Sequence, residues 1–356
     1  MPVDHSYMLT QVISGSIATA MLAAGFVLIF KQFVEKKYRP SLYMSIAWLG
    51  FMFEALFDTM HVIAEANGLP SAIFLKISYI SLAPGFLSFL AFVDSISRDE
   101  IEAKRFSVVV FLLSINVIVL FIPGDDLAIN ISYNMVISIG LVISTHAFFL
   151  LIKIYHFVPR SLKCASGINV LGAFCVSVLY LIMNILQASL PGIFPPISRL
   201  FEAAGGLFQT IVFAKNEQLF FILPFKAQRL IVYDTKNGIA LFVHDWSKEN
   251  KVIDEDLFSG ILNGMSLIVN ESIQKGRVQE IKMERGVLLI NHDNVHTIAF
   301  VIIASKSSQL LNQALGAFRR HFVQKFGSNL EKREPTTVFD SAIDLVKEYF
   351  VFIPQF

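Results

Sequence analysis

Three titratable side chains stand close together within one long apolar run: Glu54, Asp58 and His61. Spacings of four and three residues place them on one face of an α-helix. Two carboxylates and an imidazole on one face could anchor a polar ligand, hold a cation, or transfer protons as general acid and base. Because charged groups are costly in hydrocarbon, this face is expected to point into a helix bundle and not toward lipid.

Three further charged residues are expected at a similar depth. Lys76 opens the next apolar run, and Arg199 and Glu202 open the last one. The six side chains could converge, and we predict that they form a ligand-binding site. Two alternatives are open: an ion-pair network that only fixes helix packing, and a metal-hydrolase centre. A metal would need a ligand besides His61 and a carboxylate, and His146 falls toward the other end of its run, so we expect neither metal nor cofactor.

The elements that carry these residues are apolar runs in the first 225 residues. Hydrophobic residues make up 54% of the chain, with 34 Phe, and a helix needs about 20 residues to cross a hydrocarbon core. The composition and the runs predict a seven-span α-helical membrane domain over residues 1–225. The runs are roughly 9–33, 41–64, 71–94, 106–123, 130–154, 165–188 and 197–222. No basic segment precedes the first run, so we interpret it as a span and not as a removed signal peptide.

Charge in the loops predicts the orientation. Basic residues gather in alternate loops, and short cytoplasmic loops carry the excess of Lys and Arg. The N-terminus is therefore expected outside, the last 131 residues in the cytoplasm, and the polar cluster in the outer half of the cell membrane. The net charge of +1 gives no sign of nucleic-acid binding. The loop residues used are Lys36, Lys37, Arg39, Lys104, Arg105, Lys153, Arg160, Lys163, Lys215 and Lys226.

Residues 226–356 have the composition of a compact water-soluble domain and contain 31 of the 57 charged residues. Alternating apolar residues and turn signals predict the order β-β-α-β-β-β-α-α. The predicted strands are 229–234, 239–246, 278–284, 287–291 and 297–304. The predicted helices are 254–274, 307–326 and 338–349. Lys236-Asn-Gly between the first two strands is a strong hairpin signal.

The segment from Trp48-Leu-Gly-Phe to Leu56-Phe-Asp-Thr-Met-His61 resembles the second-helix signature of membrane-associated sensor domains. Such domains precede histidine kinases and related signalling modules, and in them an Asp followed three residues later by His recurs at this place. The resemblance covers about 25 residues and implies a sensory helix bundle. No kinase, cyclase or phosphatase motif follows, so the C-terminal part of this chain differs from the output domains of that family.

The order of elements after Lys226 resembles longin-like domains of the profilin-like superclass. This resemblance implies a five-stranded antiparallel sheet with one helix on one face and the others opposite. It also implies binding of protein partners, among them small GTPases and trafficking machinery, and not catalysis. Fusion of such a domain to seven spans looks like archaeal signalling or trafficking proteins, by analogy of architecture.

Candidate interaction surfaces in this domain are a basic stretch and an apolar tail. Arg319, Arg320 and Lys325 lie on the second predicted helix. We interpret them as partner-binding residues for an acidic protein surface or anionic lipid headgroups, against a simple solvated face. The segment Phe350–Phe356 is too apolar for a solvated tail, and it is expected either to fold back on the domain or to dock on the membrane or a partner.

Together these features predict a polytopic membrane receptor that couples a small-ligand site to a cytoplasmic protein-binding domain. A non-enzymatic role is favoured. One alternative is a membrane enzyme or a carrier of lipid or small solutes that uses Glu54, Asp58 and His61. The other is a passive membrane anchor that displays the longin-like domain.

Overall fold

The computed structural model describes residues 5–98, 101–190, 197–222, 226–246, 260, 264, 278–284, 286–293, 295–332 and 335–353. The chain divides into two compact units, Met1–Phe220 and Phe221–Phe356. Each unit is described by itself.

The first unit is helical throughout its described residues. Its helices are α1 (His5–Lys36), α2 (Arg39–Ala66), α3 (Ala72–Arg98), α4 (Ala103–Val119), α5 (Asp125–Phe157), α6 (Lys163–Phe174), α7 (Tyr180–Ser189) and α8 (Ser198–Lys215). A π-helical segment, Cys175–Leu179, joins α6 to α7, and short 3-10 turns cover Arg160–Leu162 and Glu217–Phe220.

Among the described residues of this unit, five helices are long and apolar enough to cross a membrane. They are Ser6–Lys36, Arg39–Ala66, Ala72–Ser97, Asp125–Phe157 and Arg160–Gln187. The remaining two predicted spans also form helices, α4 of 17 residues and α8 of 18 residues. Helix α4 is short for a hydrocarbon core of about 30 Å, and α8 carries three charged residues. The first unit is thus a bundle with five apolar candidate spans, and the count of seven stays a prediction.

Glycines allow two pairs of helices to approach closely. A Cβ on Gly50 of α2 would lie 2.7 Å from the Gly85 backbone of α3. A Cβ on Gly205 of α8 would lie 2.5 Å from the carbonyl oxygen of Gly172 in α6. Both pairs of helices therefore approach closely, as is typical where small residues line helix contacts in membranes.

Replacing Gly205 with alanine is expected to lower the free energy of unfolding by about 1–3 kcal/mol, because the added methyl group overpacks a backbone contact. Thermal unfolding in detergent measures the change. Gly167→Ala is the matched control, since a Cβ there meets only the Tyr155 ring at 3.6 Å, an ordinary contact. Equal stability of the two variants would mean that α6 and α8 do not approach closely.

The second unit contains a five-stranded antiparallel sheet with strand order β2-β1-β5-β4-β3. The strands are β1 (Ala227–Asp234), β2 (Ala240–Asp245), β3 (Glu280–Met283), β4 (Gly286–Asp293) and β5 (Ile298–Ala304). The predicted hairpin turn joins β1 to β2: the side chain of Asp234 accepts hydrogen bonds from Lys236 and Asn237, and Gly238 adopts a φ of +71°.

Helix α9 (Gln309–Lys332) packs on the sheet through aromatic side chains. The Phe300 ring of β5 makes edge contacts with Phe318 and Phe322, at centroid distances of 5.9 and 5.4 Å. A 3-10 turn, Thr336–Ala342, leads into α10 (Ile343–Tyr349), and Phe339 stacks on Phe322. The last predicted helix therefore begins as a 3-10 turn. The helix predicted over 254–274 lies outside the described residues, apart from Gly260 and Gly264.

The described part of the apolar tail folds back on the second unit. Phe350 and Phe352 are each 2% exposed, and Ile353 is 4% exposed. The ring of Phe350 contacts Trp246 at 5.5 Å and Phe318 at 5.6 Å. Of the two expectations for this segment, the structure shows folding back for residues up to Ile353.

Candidate functional site

The polar cluster predicted in the first unit forms where α2 meets the start of α8. Arg199 donates from both terminal guanidinium nitrogens to the two carboxylate oxygens of Glu54. The same guanidinium lies 3.3 Å from Asp58 Oδ2 and 3.4 Å from Glu202 Oε2. Planar, bidentate pairing of this kind is the strongest geometry that an arginine makes with a carboxylate. Four of the six predicted site residues therefore come together.

Helical spacing explains why these four side chains meet. Glu54 and Asp58 are one turn apart on the inner face of α2, and Arg199 and Glu202 are three residues apart at the start of α8. The side chain of Glu54 is only 3% exposed, and those of Arg199 and Asp58 are 17% and 22% exposed. The cluster thus has a buried inner end at Glu54 and an accessible end at Asp58.

The remaining two predicted site residues do not join the cluster, which corrects our expectation of convergence. Lys76 lies 2.7 Å from Asp125 at the start of α5, because α3 and α5 begin beside each other. His61 Nδ1 lies 3.1 Å from the carbonyl oxygen of Ser71, and its Nε2 lies 3.7 Å from Glu65. His61 is thus bonded toward the α2–α3 turn, away from Glu54.

A cavity of about 210 Å³ adjoins the cluster. One water occupies about 30 Å³ in the liquid, so this volume holds several waters or one small organic molecule. Helices α1, α2, α3, α5, α7 and α8 all contribute to its wall. The lining includes Gln11, Glu54, Asp58, Tyr79, Tyr133, Tyr180, Asn184, Gln187, Ser198 and Arg199.

A second, smaller cavity of about 80 Å³ continues from the first. The two share six lining residues, among them Glu54, Tyr180 and Asn184. Its other walls are largely apolar, with Phe51, Phe86, Val176 and Leu181 among them. The combined space is therefore polar at one end and apolar at the other, as is typical of small-molecule sites.

Four tyrosines line the cavity, Tyr7 among them, and all four were missed in the sequence. Tyr79, Tyr133 and Tyr180 stand in three separate apolar runs, so no local motif links them. The guanidinium of Arg199 lies 6.0 Å from the centre of the Tyr180 ring, and the Tyr79 and Tyr133 ring centres are 6.5 Å apart. The only sequence signal is that all three polar rings are embedded in apolar runs.

A second charged cluster in the same unit was also missed. Asp94 is completely buried and accepts a hydrogen bond from Arg105 at 2.8 Å and from the backbone N–H of Glu102 at 3.0 Å. Arg105 also donates to His146 Nε2 at 2.7 Å. Asp94 is the last residue of the predicted run 71–94, and a carboxylate at the end of a span is ordinarily solvated and needs no partner. These contacts tie α3, α4 and α5 together and lie apart from the cavity lining.

The predicted partner-binding residues lie on α9, and two of them hold the second unit together. Arg319 donates to the carbonyl oxygen of His292 at 2.7 Å. Lys325 donates to the carbonyl oxygen of Ser341 at 3.1 Å and lies 5.1 Å from the ring centre of Phe326. Arg320 and Lys325 are exposed, whereas Arg319 is half-buried. A partner surface on α9 stays a prediction, with Arg320 and Lys325 as its exposed cations.

Comparison with known proteins does not assign a function to this site. No protein-family model matches the chain, and searches of curated proteins and of solved structures find no similar chain.

Proposed function

We propose that this chain is a multi-span membrane receptor of the cell membrane. In this proposal seven helices cross the bilayer, and a small molecule binds beside Arg199 in the outer half. The second unit is cytoplasmic and longin-like, and it recruits a protein partner, with small GTPases as one class, near membrane lipids. The observation that carries the proposal is the cavity, because its wall combines a partly buried guanidinium, carboxyl groups and four tyrosines with an apolar extension.

The boundary between the two units favours a receptor over a membrane anchor that displays a loosely tethered domain. The ring of Phe220 stacks on Phe213 of α8 at 4.6 Å, within the first unit. The next residue, Phe221, contacts the ring of Phe352 at 5.2 Å, within the second unit. Adjacent residues are therefore packed into different units, so no described residue lies between them as a free linker.

The second unit supports a protein-binding output. Its five strands are all antiparallel, as the longin-like resemblance implies, and a long helix, α9, packs against the sheet. The position of His61 favours binding over acid-base chemistry, since its ring is held by Ser71 and Glu65 and not by Glu54. An enzyme or carrier would have to move protons through Asp58, the neighbouring carboxyl groups or the tyrosines of the cavity, and not through His61.

Seven spans put the two termini on opposite sides of the membrane. In a background with Cys164 and Cys175 replaced by serine, a cysteine at position 4 is expected to react with an impermeant maleimide from outside. A cysteine at position 331 is expected to react only after permeabilisation. The reverse pattern would invert the topology, and labelling of both sites from one side would require an even number of spans.

A ligand screen on the full-length protein in nanodiscs tests the proposed function. Small anionic, zwitterionic and cationic compounds are compared by the shift in Tm, since a ligand that binds only the folded state stabilises it. A cavity ligand should stabilise the wild type and lose this effect in Ile137→Trp, which fills both cavities. Ile131→Trp is the matched control, because Ile131 is on the same helix but 39% exposed.

Hydrogen exchange then separates a receptor from its alternatives. For a receptor, the stabilising compound changes amide exchange in residues 226–356, and a Gly-Ser-Gly-Ser insertion after Phe220 abolishes that change without reducing binding. A passive anchor binds no compound in the cavity. Binding with no exchange response, together with uptake or chemical conversion of the compound, would replace the receptor by a carrier or an enzyme.

A further inference from the structure

We infer that the cavity is built for an amphiphilic organic cation: an ammonium group beside Asp58, Tyr79 and Tyr133, and an apolar body in the smaller cavity. This inference rests on the proposed ligand site and names its ligand class. Two independent features of the cavity wall carry it, the balance of charge and an unpartnered tyrosine hydroxyl.

The balance of charge in the cluster favours a cationic ligand. One guanidinium faces three carboxyl groups, those of Glu54, Asp58 and Glu202. The terminal nitrogens of Arg199 are already directed at these carboxylates, so an anionic ligand would have to displace one of them. Glu54 and Asp58 both contact Arg199 from α2, and Asp58 is the more distant of the two. Asp58 is also the most exposed of the three acids. A carboxylate oxygen of Asp58 is therefore available to a new donor.

Tyr79 is the second observation. Its side chain lines the cavity and is 9% exposed. Among the described residues its hydroxyl makes no hydrogen bond, although the hydroxyl of a tyrosine with so little exposed surface normally makes one. A ligand with a donor or acceptor near Asp58 would satisfy it. The paired rings of Tyr79 and Tyr133 also offer π-faces, which attract an ammonium group.

The donor set fits an ammonium group better than a metal ion. The described residues contain no group of three His, Cys, Asp or Glu side chains that could hold a metal. The cavity instead combines carboxylates with aromatic rings and amides, which suits a soft organic cation. The smaller cavity has a largely apolar wall that includes Phe51, Phe86, Val176 and Leu181, and its carboxylates are the cluster residues Glu54 and Glu202. The body of the ligand is accordingly apolar and small.

Three probes with a phenyl ring on a two-carbon chain but with different polar groups on the second carbon test this inference: phenethylamine, 2-phenylethanol and phenylacetate. Their binding to the full-length protein in nanodiscs is measured by calorimetry and by the shift in Tm. We expect the amine to bind roughly tenfold more tightly than the alcohol, and phenylacetate to bind most weakly. Asp58→Asn should abolish the preference for the amine. Tyr79→Phe should weaken the amine more than the alcohol.

Asp125→Asn is the matched control, because it also removes one carboxylate from the first unit but lies outside the cavity lining, paired with Lys76. It should keep the preference for the amine. Tighter binding of phenylacetate would overturn the cationic class and leave the cavity as a ligand site. Absence of binding by all three probes would also overturn it, whereas the broader compound screen decides separately whether the cavity binds any ligand.

Discussion

Replacing Arg199 with methionine is expected to lower the free energy of unfolding of the first unit by about 3–5 kcal/mol, the usual cost of breaking a buried ion pair. The substitution keeps an unbranched side chain close in shape to the aliphatic part of arginine, but it removes the cation that Glu54, Asp58 and Glu202 share. The stranded carboxylates then repel one another in a medium of low dielectric constant. Unfolding of the full-length protein in detergent, followed by loss of helical circular dichroism, measures the change.

A double variant separates lost attraction from stranded charge. Glu54→Gln combined with Arg199→Met should recover part of the stability lost in Arg199→Met alone, since it removes the most buried carboxylate along with its partner. Lys76→Met is the matched control: it also removes one cation, but its pair with Asp125 is partly exposed, with side-chain exposures of 24% and 59%. Such a pair contributes about 1 kcal/mol or less. If Lys76→Met costs as much as Arg199→Met, the cluster is not centred on Arg199.

The sequence predicted which face of α2 is polar, but not which cation that face meets. Spacings of four and three residues along a helix determine which side chains share a face, and this holds for Glu54 and Asp58. The choice between Arg199 and Lys76 depends on which helices are neighbours, and no local pattern contains that information. Helix α8 lies against the polar face of α2, whereas α3 begins beside α5 and offers Lys76 to Asp125.

The buried cluster around Asp94 shows a second limit of sequence reasoning. A carboxylate at the end of an apolar run is ordinarily solvated, so Asp94 gave no signal. It is buried because α4 starts only a few residues later and brings Arg105 and the backbone of Glu102 back onto it. The short connection between α3 and α4 thus determines the environment of Asp94, although the sequence next to Asp94 carries no signal of it.

In the second unit the strands were predictable because two local signals agree. Short continuous apolar runs mark β1, β4 and β5. The Asp234–Gly238 turn satisfies its own backbone through the Asp234 side chain. The ends of the elements were less predictable, since Pro335 starts a 3-10 turn where a regular helix was expected. Pairing order is a long-range property, yet the antiparallel sheet follows from hairpins that connect consecutive strands.

The apolar tail is expected to be part of the core of the second unit. Phe350 fills a site between Trp246 and Phe318, and truncating a buried phenylalanine to alanine typically costs about 3–5 kcal/mol. Phe350→Ala should therefore raise the amide exchange rates of β5 in the full-length protein by several orders of magnitude if exchange requires global opening of this unit. Val295→Ala is the control, because Val295 is 80% exposed and such surface changes stay within about 0.5 kcal/mol.

Deleting residues 351–356 extends the same reasoning to the end of the chain. The deletion removes Phe352, whose ring contacts Phe221 at 5.2 Å and Phe350 at 6.4 Å, and it removes the buried Ile353. We expect the second unit to lose protected amides while the helices of the first unit keep theirs, because the two units have separate cores. A tail that only masks a partner surface would behave differently: the deletion would leave β5 protected and expose a groove that binds added partner more tightly. Measuring exchange in β5 and in α2 of the same sample distinguishes these outcomes, since a general loss of stability would lower protection in both.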